Sequence, residues 1–281
     1  MNILGEGHLS KMPVKLSEAE AGQVSYQLQL GDELIELNQY IGQKIQIKFA
    51  GQINCKHCGR KSKKSFSQGY CYPCFSKLAQ CDRCMMSPEN CHFHLGTCRE
   101  PEWGEQFCFR SHYVYLANSS GVKVGITRGT QIPTRWIDQG AIQALPIFKV
   151  ASRYQSGLIE RVIGEQVSDK TNWRVMLKGG VGEIDLMAER DRLFEICYEG
   201  IEEIQQEFGL QAIQHLYEAE VVNIDYPVLN YPLKVTSQNL DKTPIVEGVL
   251  QGIKGQYLIL DTGVINIRKF SSYHVEVSAG E

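Results

Sequence analysis

The sequence predicts a multi-domain α+β protein, and three observations predict it. Its 281 residues, 43% of them hydrophobic, are enough to bury a real core and accommodate one large domain or two to three smaller ones. Runs with period-two alternation gather at both ends, while the middle alternates strand-like and helix-like patterns. Nine of the ten cysteines fall between Cys55 and Cys108, which marks a separate module. The expected organisation is a β-rich region over 1–54, a cysteine module over 55–111, an α/β domain over 112–178, and a helical segment plus small β domain over 179–281.

From the N-terminus, VSYQLQL, ELIELNQYIG and QKIQIKFAGQI read as strands separated by Gly-Asp and Ile-Gly-Gln turn signals. Beyond the cysteines, YVYLAN and VKVGIT read as two arms of a hairpin around Ser-Ser-Gly. Pro133 opens a short helix through TRWIDQG. A strand, PIFKVASR, and an amphipathic helix, GLIERVIGEQVS, follow. Gly179-Gly180 reads as a linker. Leu186 to Phe208 carries apolar residues at helical spacing among Glu and Arg, and reads as one long helix. Thr243 to Val277 breaks into short strands at Lys-Gly-Gln and Asp-Thr-Gly, a small sheet or barrel that can pack on the N-terminal strands. No apolar run approaches the roughly 18 residues of a membrane span, and MNILGEGHLSKMPVK lacks the apolar core of a secretion signal. The expectation is a cytoplasmic protein with no membrane partner.

Cys55-Lys-His-Cys58, twelve intervening residues and Cys71-Tyr-Pro-Cys74 give two thiol pairs, each on its own turn. Four thiolates so spaced close a tetrahedral zinc site with no position left for water, so the site is structural. In a chain without an export signal, this density argues for metal rather than disulfides. A second structural zinc is expected at Cys81, Cys84, Cys91 and Cys98. That set stays open. His94, Cys108 or His112 can replace Cys91 or Cys98, the pairs can be shared crosswise, and thiolates can also hold an iron–sulfur cluster.

Net charge is −3, but it is unevenly spread. Residues 51–178 carry 18 Lys and Arg against 9 Asp and Glu, whereas the flanks carry 11 against 23. A basic centre between acidic ends is the footprint of a protein that meets a polyanion. Arg60, Lys61, Lys63 and Lys64 share a metal-held loop with Phe66 and Tyr70. Cations neutralise phosphates and rings stack on unpaired bases. Arg128, at the end of the hairpin, joins this expected nucleic-acid-binding set.

Tyr113-Val114-Tyr115 and Lys123-Val124-Gly125 face each other across the hairpin turn, followed by Arg135, Glu160 and Asn172 on later elements. In that order, residues 112–178 resemble the GIY-YIG nuclease superfamily, in the subgroup whose second motif reads Lys-hydrophobic-Gly. Two positions depart from the better-known pattern: Tyr113 replaces a glycine and Lys123 replaces a tyrosine. The whole chain is also similar to a bacterial family of unknown function with an N-terminal cysteine block. The nuclease resemblance implies Arg135 on the phosphate, Glu160 on Mg²⁺ or Mn²⁺, Tyr115 and Lys123 around the attacking water, and Asn172 as a phosphate contact.

The residue chemistry suits those roles. Arginine presents a planar fork to phosphate oxygens, and a carboxylate is a hard ligand for a divalent ion. Lysine is a poor base near neutral pH unless burial or nearby cations depress its pKa. The leading expectation is a zinc-containing, metal-dependent phosphodiesterase acting on DNA or RNA. One alternative is a non-catalytic zinc-finger DNA- or RNA-binding protein with a degenerate nuclease fold. The other is a zinc-scaffolded adaptor that meets protein partners through its acidic C-terminal region.

Overall fold

The computed structural model describes residues 1–17, 22–167 and 170–280. The chain opens with β1 (Asn2–His8), β2 (Val14–Leu16), β3 (Val24–Leu30), β4 (Glu33–Glu36) and β5 (Lys44–Ile53). In β3 the predicted alternation is literal: Val24, Tyr26, Leu28 and Leu30 are buried and the residues between them are not. β2, β3 and β4 form a small antiparallel sheet.

The cysteine module contains α1 (Tyr72–Lys77), four 3-10 turns between Ala79 and Leu95, and α2 (Pro101–Cys108). Such short elements bury little surface, so cross-links must supply the order that a core supplies elsewhere. β6 (His112–Asn118) and β7 (Val122–Arg128) form the expected hairpin, with Tyr115 opposite Gly125 and Ala117 opposite Lys123. α3 (Thr134–Asp138), β8 (Gln143–Val150) and α4 (Arg153–Gly164) keep the predicted order. Ser152 and Gln155 close a capping box that starts α4. The helix ends at Gly164, short of Ser168, which lies outside the described residues. α5 (Trp173–Lys178) follows.

The expected long helix is two, α6 (Leu186–Ile196) and α7 (Tyr198–Phe208), broken at Cys197. The break lets both bend over one sheet. Leu186, Leu193, Ile201 and Ile204 share a core with Val114, Leu116, Leu145 and Ile159. β9 (Ile213–His215) and β10 (Val222–Asn223) then pair with β8. The α/β sheet, ordered β10-β8-β6-β7 with β9 also on β8, is thus completed from beyond Lys178.

β11 (Ile245–Lys254), β12 (Tyr257–Leu260), β13 (Gly263–Asn266) and β14 (Tyr273–Gly280) join the N-terminal strands in one six-stranded sheet, β1-β14-β5-β11-β12-β13. β5 lies between β14 and β11. The two ends of the chain therefore make one β unit, with everything from Asn54 to Pro244 inserted into it. Its core continues into the α/β sheet, because Ile45, Leu250 and Val275 share a cluster with Tyr115, Ala117, Trp136 and Ile137. One face of the β6–β7 hairpin meets this β unit and the other meets α4, α6 and α7. Among the described residues, no helix is long and apolar enough to cross a membrane.

Candidate metal centres and phosphate site

The sulfurs of Cys55, Cys58, Cys71 and Cys74 all lie within 4.8 Å of one another. Zinc–sulfur bonds of about 2.3 Å in a tetrahedron place sulfurs about 3.8 Å apart, and Cys58 and Cys71 stand at 3.7 Å. Burial alone would raise the Cys55 thiol, but backbone N–H groups of Cys58, Cys71 and His57 outweigh it and bring it down to about 6. Burial and the three neighbouring sulfurs push Cys74 up to about 12. Four thiols this close cannot all shed their protons unless a cation takes their place. The donor set fits a closed, structural zinc.

Of the second expected set, three cysteines share a cavity and the fourth does not. Cys84, Cys91, Cys98 and Cys108 line one small cavity of about 20 Å³, together with Asp82 and His92. Cys81 does not line it. It is buried with Cys55, Tyr70 and Leu78 beneath the first quartet. Cys108, at the C-terminal end of α2, stands where Cys81 was expected. Burial raises both Cys108 and Cys84, the latter to about 11. Asp82, Cys84 and His92 also approach one another within 4.8 Å, although Arg99 already takes Asp82 at 2.7 Å. His94 packs near Tyr154. His112 is fully buried, its Nδ1 is 2.7 Å from the Arg110 carbonyl, and its Nε2 has no hydrogen-bond partner among the described residues. Burial brings His112 down to about 4.

Of the residues expected to handle phosphate, three meet. Tyr115 is fully buried and donates to Gln139 Oε1 at 3.1 Å. Burial raises its phenol, while the Arg135 guanidinium, hydrogen-bonded to the same oxygen, pulls it down. Glu160 is close enough for its charge to act on both Tyr115 and Arg153. A Cβ on Gly125 would stand 2.7 Å from the Tyr115 hydroxyl, so the glycine of Lys-Val-Gly is what lets the ring lie across β7. Lys123, buried, shares that sheet face by register.

Asn172 sits elsewhere. Its side chain caps α5 by accepting from the Val175 N–H, and its own N–H donates to Ser120 Oγ at the hairpin turn. Sequence reasoning missed Arg153, the first residue of α4. Its Nη2 donates to the Met85 carbonyl at 2.7 Å, and its charge acts on Cys84, Cys108, Arg135 and Glu160. It therefore ties the cysteine module to the Glu160 side of the sheet. Its place two turns before Glu160 on one helix was the available signal.

Arg60, Lys61, Lys63 and Lys64 are exposed. The rings are not free beside them. Phe66 packs on Tyr72 and Phe75, with centroids at 5.6 and 5.7 Å. Tyr70 is 6% exposed and lies under Lys56. Both rings pack within the cysteine loop, Phe66 half-buried and Tyr70 buried. Arg128 lies over Phe107.

The chain belongs to a family described as protein of unknown function (DUF2797), whose model matches residues 42–275, from the start of β5 into β14. No curated protein and no solved structure matches it.

Proposed function

We propose that this protein is a metal-dependent phosphodiesterase acting on nucleic acid, with a GIY-YIG-type α/β domain held on a zinc-stabilised scaffold. One observation carries the reading. Arg135 and Glu160, on two different helices, both act on the Tyr115 phenol of the strand, Arg135 through a hydrogen bond and Glu160 through its charge. Arg135 would bind a non-bridging phosphate oxygen and stabilise the charge that grows on it during attack. Glu160 would hold a Mg²⁺ or Mn²⁺ ion, which supplies an acidified water and polarises the leaving oxygen. Tyr115 orients the Arg135 fork, and Lys123 adds a cation on the same face. The exposed Arg60, Lys61, Lys63 and Lys64 would follow the strand backbone. A second zinc is assigned to Cys84, Cys91, Cys98 and Cys108.

The second reading, binding without cleavage, is favoured by one feature. Tyr115 is fully buried and its hydroxyl is already taken by Gln139 and Arg135, while Lys123 stands where related nucleases place a tyrosine. The test is incubation of end-labelled single- and double-stranded DNA and RNA with Mg²⁺ or Mn²⁺, comparing wild type with Glu160→Ala. Cleavage lost in the variant supports the phosphodiesterase. Cleavage that survives it overturns the site, and retarded migration with no cleavage supports the binding protein.

A further inference from the structure

A cleft of about 410 Å³ opens where four distant segments meet: Leu9 to Pro13, the first zinc loop, Gln29 of β3, and the turn before β14. Its charged lining is Lys11, Lys56 and Arg268, and among the described residues no carboxylate lines it. Asp138, nearly inaccessible behind the wall, takes Lys11 at 2.6 Å. Lys56 and Arg268 form no ion pair among the described residues. Lys56 lies over the Tyr70 ring, and one neutral residue bridges it to Arg268. Lys56 Nζ donates to the Gln68 carbonyl at 3.0 Å, and Arg268 Nε donates to the Gln68 side-chain oxygen. Asp138 acts on Arg268, and Cys81 and Cys55 on Lys56, without pairing with them; the two like charges bridged by an amide still repel each other.

The backbone is shaped around the same place. Ser67, Gln68 and Ser272 have φ of 42°, 62° and 77°, and they are the non-glycine residues with positive φ among those described. Gln68 and Ser272 line the cleft and Ser67 precedes them. Left-handed conformations are unfavourable for such residues and concentrate at ligand clamps. Gly69, at φ 131°, has no room for a side chain, since a Cβ would stand 2.6 Å from Lys56 Cδ and 3.1 Å from Ser272 Oγ. The loop is thereby pressed onto the β14 turn, with Ser272 Oγ donating to the Gly69 carbonyl. A cleft of this volume exceeds a bare phosphate and lies within the range of small-ligand sites, about 300–1,000 Å³.

We propose that this cleft binds a phosphate group, carried by a nucleotide terminus or by a nucleic-acid backbone, with Arg268 and Lys56 as its donors and Gln68 as the residue that positions them. The planar guanidinium offers paired donors to two phosphate oxygens and the ammonium adds a point charge. The Arg135 charge reaches Arg268, but none of the cleft residues is assigned a role in the phosphodiesterase site, so loss of phosphate binding here and loss of cleavage there are separate outcomes.

Zinc-loaded full-length protein titrated by calorimetry with adenosine 5′-monophosphate, adenosine, and a single-stranded oligonucleotide lacking terminal phosphates tests it. Binding of the monophosphate but not adenosine assigns a terminal phosphate. Binding of the oligonucleotide alone assigns the backbone. In either case Arg268→Gln and Lys56→Gln should each weaken binding at least tenfold, Arg268→Lys should recover part of it, and Arg161→Gln should match wild type. Zinc content and unfolding midpoint confirm that each variant is folded. If Arg268→Gln fails that check, Arg268→Lys and Lys56→Gln decide the outcome. No binding by wild type, or unchanged affinity in the folded variants, overturns the proposal.

Discussion

The first cysteine quartet and the Tyr115 site are built in opposite ways. The quartet takes all four thiols from residues 55–74, on two turns of one loop. The Tyr115 site takes one side chain from each of β6, α3 and α4 and exists only once those elements are packed. A local site leaves its spacing in the sequence. A distributed one leaves scattered residues whose meeting depends on register and helix placement.

That contrast orders the perturbations. Replacing the quartet, as Cys55→Ser with Cys71→Ser, should have the largest effect, because structural zinc contributes about 10 kcal/mol or more to a module with little core of its own. Emission spectrometry should find one zinc fewer per chain, with hydrogen exchange across 55–111 accelerated. Unchanged zinc content would show the quartet to be no metal site. Next is the second group: Cys108→Ser should lose one zinc and Cys81→Ser should keep both. The reverse result would restore the ligand set expected from spacing.

His112 gives a smaller, pH-dependent effect. Its folded value of about 4 lies below the ordinary 6.5, so between the two the unfolded chain binds the extra proton. Stability should therefore fall as pH drops from 6.5 toward 4, by up to about 3 kcal/mol. Chemical denaturation of wild type and His112→Gln at several pH values reads this, and an identical slope in the two would contradict it. Gly125→Ala is the smallest. Its methyl meets the Tyr115 hydroxyl, and overpacking of this kind costs about 1–3 kcal/mol. A variant as stable as wild type would mean that the ring is not fixed across β7.

Much of the α/β region was legible. The hairpin, the helix bearing Arg135, the third strand and the helix bearing Glu160 each carry their own period and boundary signals, and they appear in the expected order. What was not legible depends on partners distant in the chain. β5 sits between two C-terminal strands, and nothing in KIQIKFAGQI specifies which strands those are. β9 and β10, of three and two residues, are too short to show a period, which is why the sheet seemed to finish at Lys178. Cys108 rather than Cys81 lines the cavity with Cys84, Cys91 and Cys98, and spacing is blind to where α2 carries it. That Tyr70 is buried and Phe66 packs on Tyr72 and Phe75 was not legible either, because a loop sequence does not reveal which aromatics pack within it.

The most direct test of the central claim is the single-turnover cleavage rate of Arg135→Ala beside Arg161→Ala, the latter altering an exposed arginine next to Glu160 on α4. Losing a group that stabilises transition-state charge should slow cleavage by about 10²–10³-fold in Arg135→Ala, with Arg161→Ala close to wild type. Equal rates for wild type and Arg135→Ala would mean that the Tyr115 site does not handle the reacting phosphate.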